Sequence, residues 1–167
     1  MTEPVKAIEP ERRMGVYKSL SEVPVRYRLD NFTAEYRGED TWTEYIQAED
    51  ERRDLSDWYL ERADIAGRSW KSHMHDLDRH HALAKPEDVD TWCRELLDER
   101  KLRTVYERYW TELESFYAWL QAHAEHHHVY QPVLMAAANY DAASMVWEEK
   151  IENGRKRAEK LAQGERK

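Results

Sequence analysis

No run of apolar residues in this sequence approaches the roughly 18 needed to cross a bilayer, so no segment is expected to span a membrane. Cysteine is nearly absent. The single Cys93 excludes an internal disulfide framework and fits a reducing interior, so a cytoplasmic location is expected. Beside Trp92 on an apolar stripe, Cys93 reads as a small buried hydrophobe. The opening MTEPVKAIEPERR lacks the apolar stretch of a secretory signal. There is no Gly-rich phosphate loop, no nucleophile elbow and no His-Glu-x-x-His metalloprotease signature. Paired acids such as Asp50-Glu51 and Asp98-Glu99 read as solvated helix faces. Strand-like alternation and internal repeats are missing too.

What remains describes one helical domain with tails. Of 167 residues, 41% are apolar, with seven Trp and ten Tyr, enough to close a small core. Charged residues at 36% and only five glycines point to helices with heavily solvated outer faces. The net charge of −8 opposes nucleic-acid binding, which draws on neutralised phosphates. Its distribution softens the objection. Residues 1–57 carry nine basic and fourteen acidic groups, residues 67–108 nine of each, and residues 154–167 six basic against two acidic. Seventeen Arg among abundant Asp and Glu also fit a salt-adapted, halophilic cytoplasm, where an acidic chain keeps its solubility, and fit an ordinary acidic mesophile domain equally well.

Along the chain, Pro4, Pro10 and Pro24 break any long period in residues 1–40, which read as an irregular arm with one short element near Val25–Phe32. Tyr17, Tyr27, Phe32 and Tyr36 could tack this arm to the body. Thr41 with Glu44 predicts a capping box ahead of Trp42, Tyr45 and Ile46. Leu55, Trp58, Tyr59 and Ile65 predict a helix stopping near Gly67, with Ser69 capping the next one through Trp70, Met74, Leu77 and His81. Pro86 in a first turn, with Glu87 and Asp88 at the positive dipole end, opens a helix burying Val89, Trp92, Cys93, Leu96 and Leu97. After a His-rich loop, Pro132 begins a helix reaching as far as Ile151, and Gly154 onward reads as a frayed basic tail. The division is arm 1–40, helical domain 41–132, C-terminal helix 133–152 and tail 153–167.

The strongest helical signal is Leu102–Pro132. Leu102, Tyr106, Tyr109, Leu113, Phe116 and Leu120 recur at steps of four and three, the period of one apolar helix face. The phrase RTVYERYWTELESFYAWL, with Arg108, Thr111, Leu113, Ser115, Phe116 and Tyr117, followed by VYQP, resembles the last helix of the core-binding, SAM-like domain of tyrosine recombinases and phage integrases. WYLERADIAGRSWKSHMHDLDRHHAL resembles that domain's opening pair of helices, with Asp76-Leu77 as its central "DL", and KPEDVDTWCRELLDER its third. The resemblance covers about Leu55–Pro132 and implies an all-α, small orthogonal bundle of four to five helices. Glu114 and Gln131 depart from the family's pattern.

The resemblance also implies a module that clamps duplex DNA with its second and fourth helices. The free faces of those helices then offer Arg68, Lys71, Ser72, His75 and Arg79, and Arg103, Thr104, Arg108 and Thr111, with Lys101 at the entry. Cations and short hydroxyls near helix N-termini suit phosphate and occasional base-edge contacts. The alternative is solvated charges pairing along the helix with Asp76, Glu107 and Glu112. The family's catalytic residues lie in a following domain, for which the 35 residues after Pro132 leave no room. No residue is therefore expected to inherit a catalytic role, and no cofactor is implied. The expected partners are double-stranded DNA, a tyrosine recombinase, or a second copy, with a pure protein-interaction role as the alternative. His123, His126, His127 and His128 could ligate a metal at their spacing, but a His cluster at a helix C-terminus reads more simply as a cap for the negative dipole end.

Overall fold

The computed structural model describes residues 9–165, and every regular element among them is helical. Residues 1–8, with Pro4 and most of the segment tested for a secretory signal, lie outside the described residues, as do Arg166 and Lys167 of the basic tail. Four single 3-10 turns between Pro10 and Phe32 carry the arm into α1 (Thr33–Tyr36). There follow α2 (Thr41–Arg53), α3 (Asp57–Asp76) and α4 (Pro86–Glu99). A composite helix then runs through α5 (Leu102–Thr104), a π-helical stretch Val105–Trp110 and α6 (Thr111–Ala122). The chain closes with α7 (Pro132–Asn139) and α8 (Asp141–Glu165). Helices α4, α7 and α8 pack on one another, α2 packs on α3, and the composite helix touches both groups. The expected all-α bundle forms.

The arm is irregular, as its prolines dictate, yet it belongs to the core. Met14, Val23, Leu29 and Tyr36 are buried in it. Of the four aromatics expected to tack the arm down, Tyr36 is buried, Tyr17 and Phe32 pack half-buried against the core, and Tyr27 stays exposed. The Leu29 N–H donates to the buried Tyr130 hydroxyl at 3.0 Å, which ties the arm to the α6–α7 loop.

Gly67 does not end a helix. The expected pair of helices on either side of it is the single α3, which runs on to Asp76. A Cβ at Gly67 would stand 2.3 Å from the Trp42 indole nitrogen, so glycine is there to let α2 and α3 approach closely. Trp42 uses that nitrogen to donate to the Ala63 carbonyl at 3.1 Å. The chain reverses beyond α3 at Asp78, which takes the left-handed conformation with φ +56°. At the head of α2 the cap is Asp40 rather than Thr41: its carboxylate accepts from the Thr43 N–H and hydroxyl. Thr41 is buried one residue further on.

Helix α4 starts at Pro86 as expected, with the Lys85 N–H donating to the Asp88 carboxylate at 2.8 Å. Downstream, the single helix expected from Pro132 to Ile151 breaks at Tyr140 into α7 and α8. Buried Asp90 of α4 explains the break. Its Oδ1 accepts from the Ala143 N–H at 3.0 Å, capping a fresh helix N-terminus inside the core. The tail is not frayed either, since α8 continues helically to Glu165.

The π-helical stretch also has a physical cause. The Thr111 N–H reaches back five residues to the Tyr106 carbonyl. That frees the Glu107 carbonyl, which accepts from Arg62 Nη2 of α3 and from the Thr111 hydroxyl, each at 2.8 Å. One extra residue per turn rotates the face of the composite helix. Val105, Tyr109, Trp110, Leu113, Phe116, Tyr117 and Leu120 are all buried, more than the single stripe read from the period.

Candidate functional site

On α3 the structure disperses the residues expected to meet DNA. Arg68 is exposed but pairs with Asp64 at 3.0 Å along the helix. Lys71 pairs across to Asp40 at 2.7 Å, where it steadies the cap of α2 and holds the Asp40 carboxyl down at about 2 despite opposing burial. Ser72 borders a depression walled by Asp76, Glu95, Asp98 and Glu99 against the one cation Arg100, an acidic balance that disfavours phosphate. His75 is exposed. Arg79 lies past the end of α3 and clamps the buried Asp88, its Nε at 2.9 Å and its Nη2 on the other oxygen. It therefore closes the α3–α4 loop onto the head of α4 rather than facing outward.

The second expected group is physically remote from most of the first. Arg62 touches the π-helical stretch at Glu107, so that stretch sits beside the first half of α3. His75 lies thirteen residues further along, about 20 Å at 1.5 Å per residue. Within the second group, Thr111 spends its hydroxyl on the Glu107 carbonyl and Thr104 is half-buried. Lys101, the N-cap residue of α5, and Arg108 are exposed. Arg103 is exposed and pairs with Glu107 at 2.9 Å, the i,i+4 contact anticipated from sequence.

Arg103 acquires a new setting. The far half of α8 runs past it, and the two enclose a groove of about 340 Å³ lined by Arg103, Asn153, Lys156, Arg157, Glu159, Lys160 and Gln163. Four cations and one carboxylate thus converge in a chain of net charge −8. The α8 members sit at helical spacing, so they share one face. Lys156, Arg157 and Lys160 were legible as a basic run, but Gly154 hid the helix that arrays them. Among the residues expected at the interface, Arg103 is the one that lines this groove.

The histidines form a second cluster with a structural task. His123 Nδ1 donates to the Trp119 carbonyl at 2.8 Å and so closes the end of α6. His126 joins the Tyr36 hydroxyl at 2.6 Å to Glu44 at 3.2 Å, and His127 stacks on Phe32 while meeting Glu35. His81 accepts the Trp42 N–H at 3.2 Å, and His80 accepts the Ala82 N–H at 3.0 Å while donating to the Glu39 carbonyl. His128 donates to the Ala82 carbonyl, and its buried Nδ1 has no hydrogen-bond partner among the described residues. Burial holds His81 down to about 3 and His128 to about 4, and lowers His80 as well. These rings stitch the arm to the loops before α4 and α7. Among the described residues, no three His, Cys, Asp or Glu side chains are arranged to hold a metal ion.

One carboxylate is buried against cost. Glu112 lies under Tyr59 and near Arg62, and burial raises its pKa against the pull of Arg62. No helix among the described residues is long and apolar enough to cross a membrane. Comparison of the chain with protein-family profiles, with curated proteins and with solved structures finds no match.

Proposed function

We propose that this is a non-catalytic helical domain that binds duplex DNA through its phosphates, at the groove between Arg103 and α8. The observation that supports it is the convergence of Arg103, Lys156, Arg157 and Lys160 on one cleft while the acid excess lies elsewhere. A cleft with four cations against one carboxylate focuses a positive local field and attracts a polyanion despite the overall balance. Lys101, at the N-cap of α5, and Arg108 are further exposed cations on this part of the chain. The contacts are to backbone, so recognition depends on charge and shape more than on base sequence.

A kinship with the core-binding modules of tyrosine recombinases belongs to the same proposal, with a role in modulating recombination. It rests on the phrases now in α4 and the composite helix, since the phrase resembling an opening helix pair forms α3 alone. Fluorescence anisotropy with a labelled duplex tests the reading. Binding at low salt is expected, with log affinity falling linearly against log salt. The slope should become less negative by about 0.9 for each phosphate contact removed by Arg103→Ala, Lys156→Ala or Lys160→Ala. Absence of binding at low salt, or affinity untouched by the triple variant, overturns it. The competing reading, an interaction module that meets a recombinase or a second copy without DNA, is favoured by Leu161, which stands 67% exposed on the far half of α8.

A further inference from the structure

Six of the seven tryptophans are buried, none of them more than 8% exposed. Trp58, in the first turn of α3, is 63% exposed. A lone apolar side chain at a surface is ordinary. This ring, however, is held in place. The Arg62 guanidinium lies over it at 4.5 Å from the centroid, one turn along the same helix face. Arg62 is itself fixed, because its Nη2 donates to the Glu107 carbonyl at 2.8 Å. That carbonyl is free to accept because the π-helical stretch releases it from the helix ladder, a distortion common at functional sites. The π-helix thus holds an arginine, the arginine covers one face of an indole, and the opposite face stays open to solvent.

The open ring adjoins the basic cleft. Glu107 also accepts from Arg103 Nε through its side chain at 2.9 Å, and Arg103 lines the cleft with Lys156, Arg157 and Lys160. Arg103 and Glu107 stand one turn apart, about 6 Å along the axis. Contacts therefore run without a break from Trp58 to Arg62, to Glu107, to Arg103. The chemistry changes along that path. The cleft, with four cations against one carboxylate, suits phosphates. Trp58 is flanked on α3 by exposed Asp57 and Glu61, which offset Arg62, so phosphate gains little beside the ring. An open indole in that setting suits an uncharged planar group. A nucleobase is one, and stacking on an aromatic ring accepts any base because each has a π-face. Inside a duplex those faces are taken by neighbouring bases, so the base that stacks here must be unpaired.

We propose that Trp58 is a stacking platform for an unpaired base, so that the preferred ligand is DNA in which a duplex runs into a single strand. The duplex phosphates lie on the basic cleft, and a base beyond the duplex end stacks on the open face of Trp58, with Arg62 backing the ring. The inference rests on the reading that the cleft binds DNA, and it narrows the ligand from any duplex to one with such a junction. A ring already fixed by Arg62 loses little freedom when the base arrives.

Fluorescence anisotropy of the whole chain at low salt tests the proposal with three labelled ligands. They are a blunt duplex, the same duplex with a short thymine extension on one strand or the other, and that duplex with an abasic extension of equal length. The thymine extension should bind about fivefold tighter or more than the abasic one, the worth of one stacked base. Trp58→Ala should abolish that preference and leave blunt-duplex affinity where it is, with circular dichroism unchanged because the site is exposed. Trp58→Phe should keep most of the preference. Since Trp58 is the exposed one of the seven tryptophans, the thymine extension should also quench intrinsic fluorescence, and Trp58→Phe should remove the quenching. Equal affinity for thymine and abasic extensions overturns the inference and leaves the reading of the cleft standing. A preference that survives Trp58→Ala does the same. Failure to bind any of the three ligands overturns both.

Discussion

Acid should loosen this fold well above the pH at which carboxylates protonate. His81 is 9% and His128 4% exposed, and each is held neutral by the structure, at about 3 and about 4. His81 must keep a lone pair for the Trp42 N–H, and protonated His128 would bury an unpartnered N–H. An unfolded histidine takes a proton near 6.5. Both groups therefore contribute fully above that pH, and the contribution is lost as pH falls from about 6.5 towards 4 for His128 and 3 for His81. At about 1.4 kcal/mol per pH unit, each costs about 2 kcal/mol at pH 5, about 4 together. His80 adds in the same direction, and Glu112, whose pKa is raised, acts in the opposite one. That is a large share of the roughly 5–15 kcal/mol available to a small domain. Urea titrations at pH 8 and pH 5 measure it directly. Replacing His81 and His128 by Gln, which keeps an acceptor and a donor but cannot titrate, should abolish most of the difference. Wild-type stability equal at the two pH values would refute the reasoning. So would an undiminished loss in the double Gln variant.

Other substitutions separate structural from surface roles. Gly67→Ala should destabilise by about 1–3 kcal/mol in urea unfolding, because the methyl overpacks against the Trp42 ring between α2 and α3. Arg79→Met should cost about 2–3 kcal/mol, since it strands a buried Asp88 carboxylate that is 2% exposed, and half-exposed Arg79 softens the loss. Arg68→Ala, which breaks only a surface pair, should leave the unfolding midpoint where it is.

The period and punctuation of the chain carried much of the fold. The 4-3 apolar repeats of α4 and the composite helix, Pro86 in a first turn and the irregular proline-bearing arm were all readable, because each is a local property of a few neighbouring residues. Gly67 shows the limit. A glycine after an apolar run signals a helix end by local rules, and only the Trp42 ring lying across it gives the opposite meaning. Asp90 is similar. As a sequence letter it is one more solvated acid, and it becomes a cap for α8 only because α4 and α8 meet. The candidate site divides in the same way. Arg103 and the basic run after Gly154 were visible separately, while their convergence depends on α8 continuing helically past the composite helix. Arg79 looked as free as Lys101 until the fold set Asp88 beside it.

Sequence alone thus determined the all-helical class, the core stripes and the charge polarity from acidic front to basic end, since these follow from residue type and spacing. Tertiary structure decided which glycine is a contact, which acid is a cap and which arginines still face solvent. Those choices are made by partners dozens of residues away, and no local window contains them.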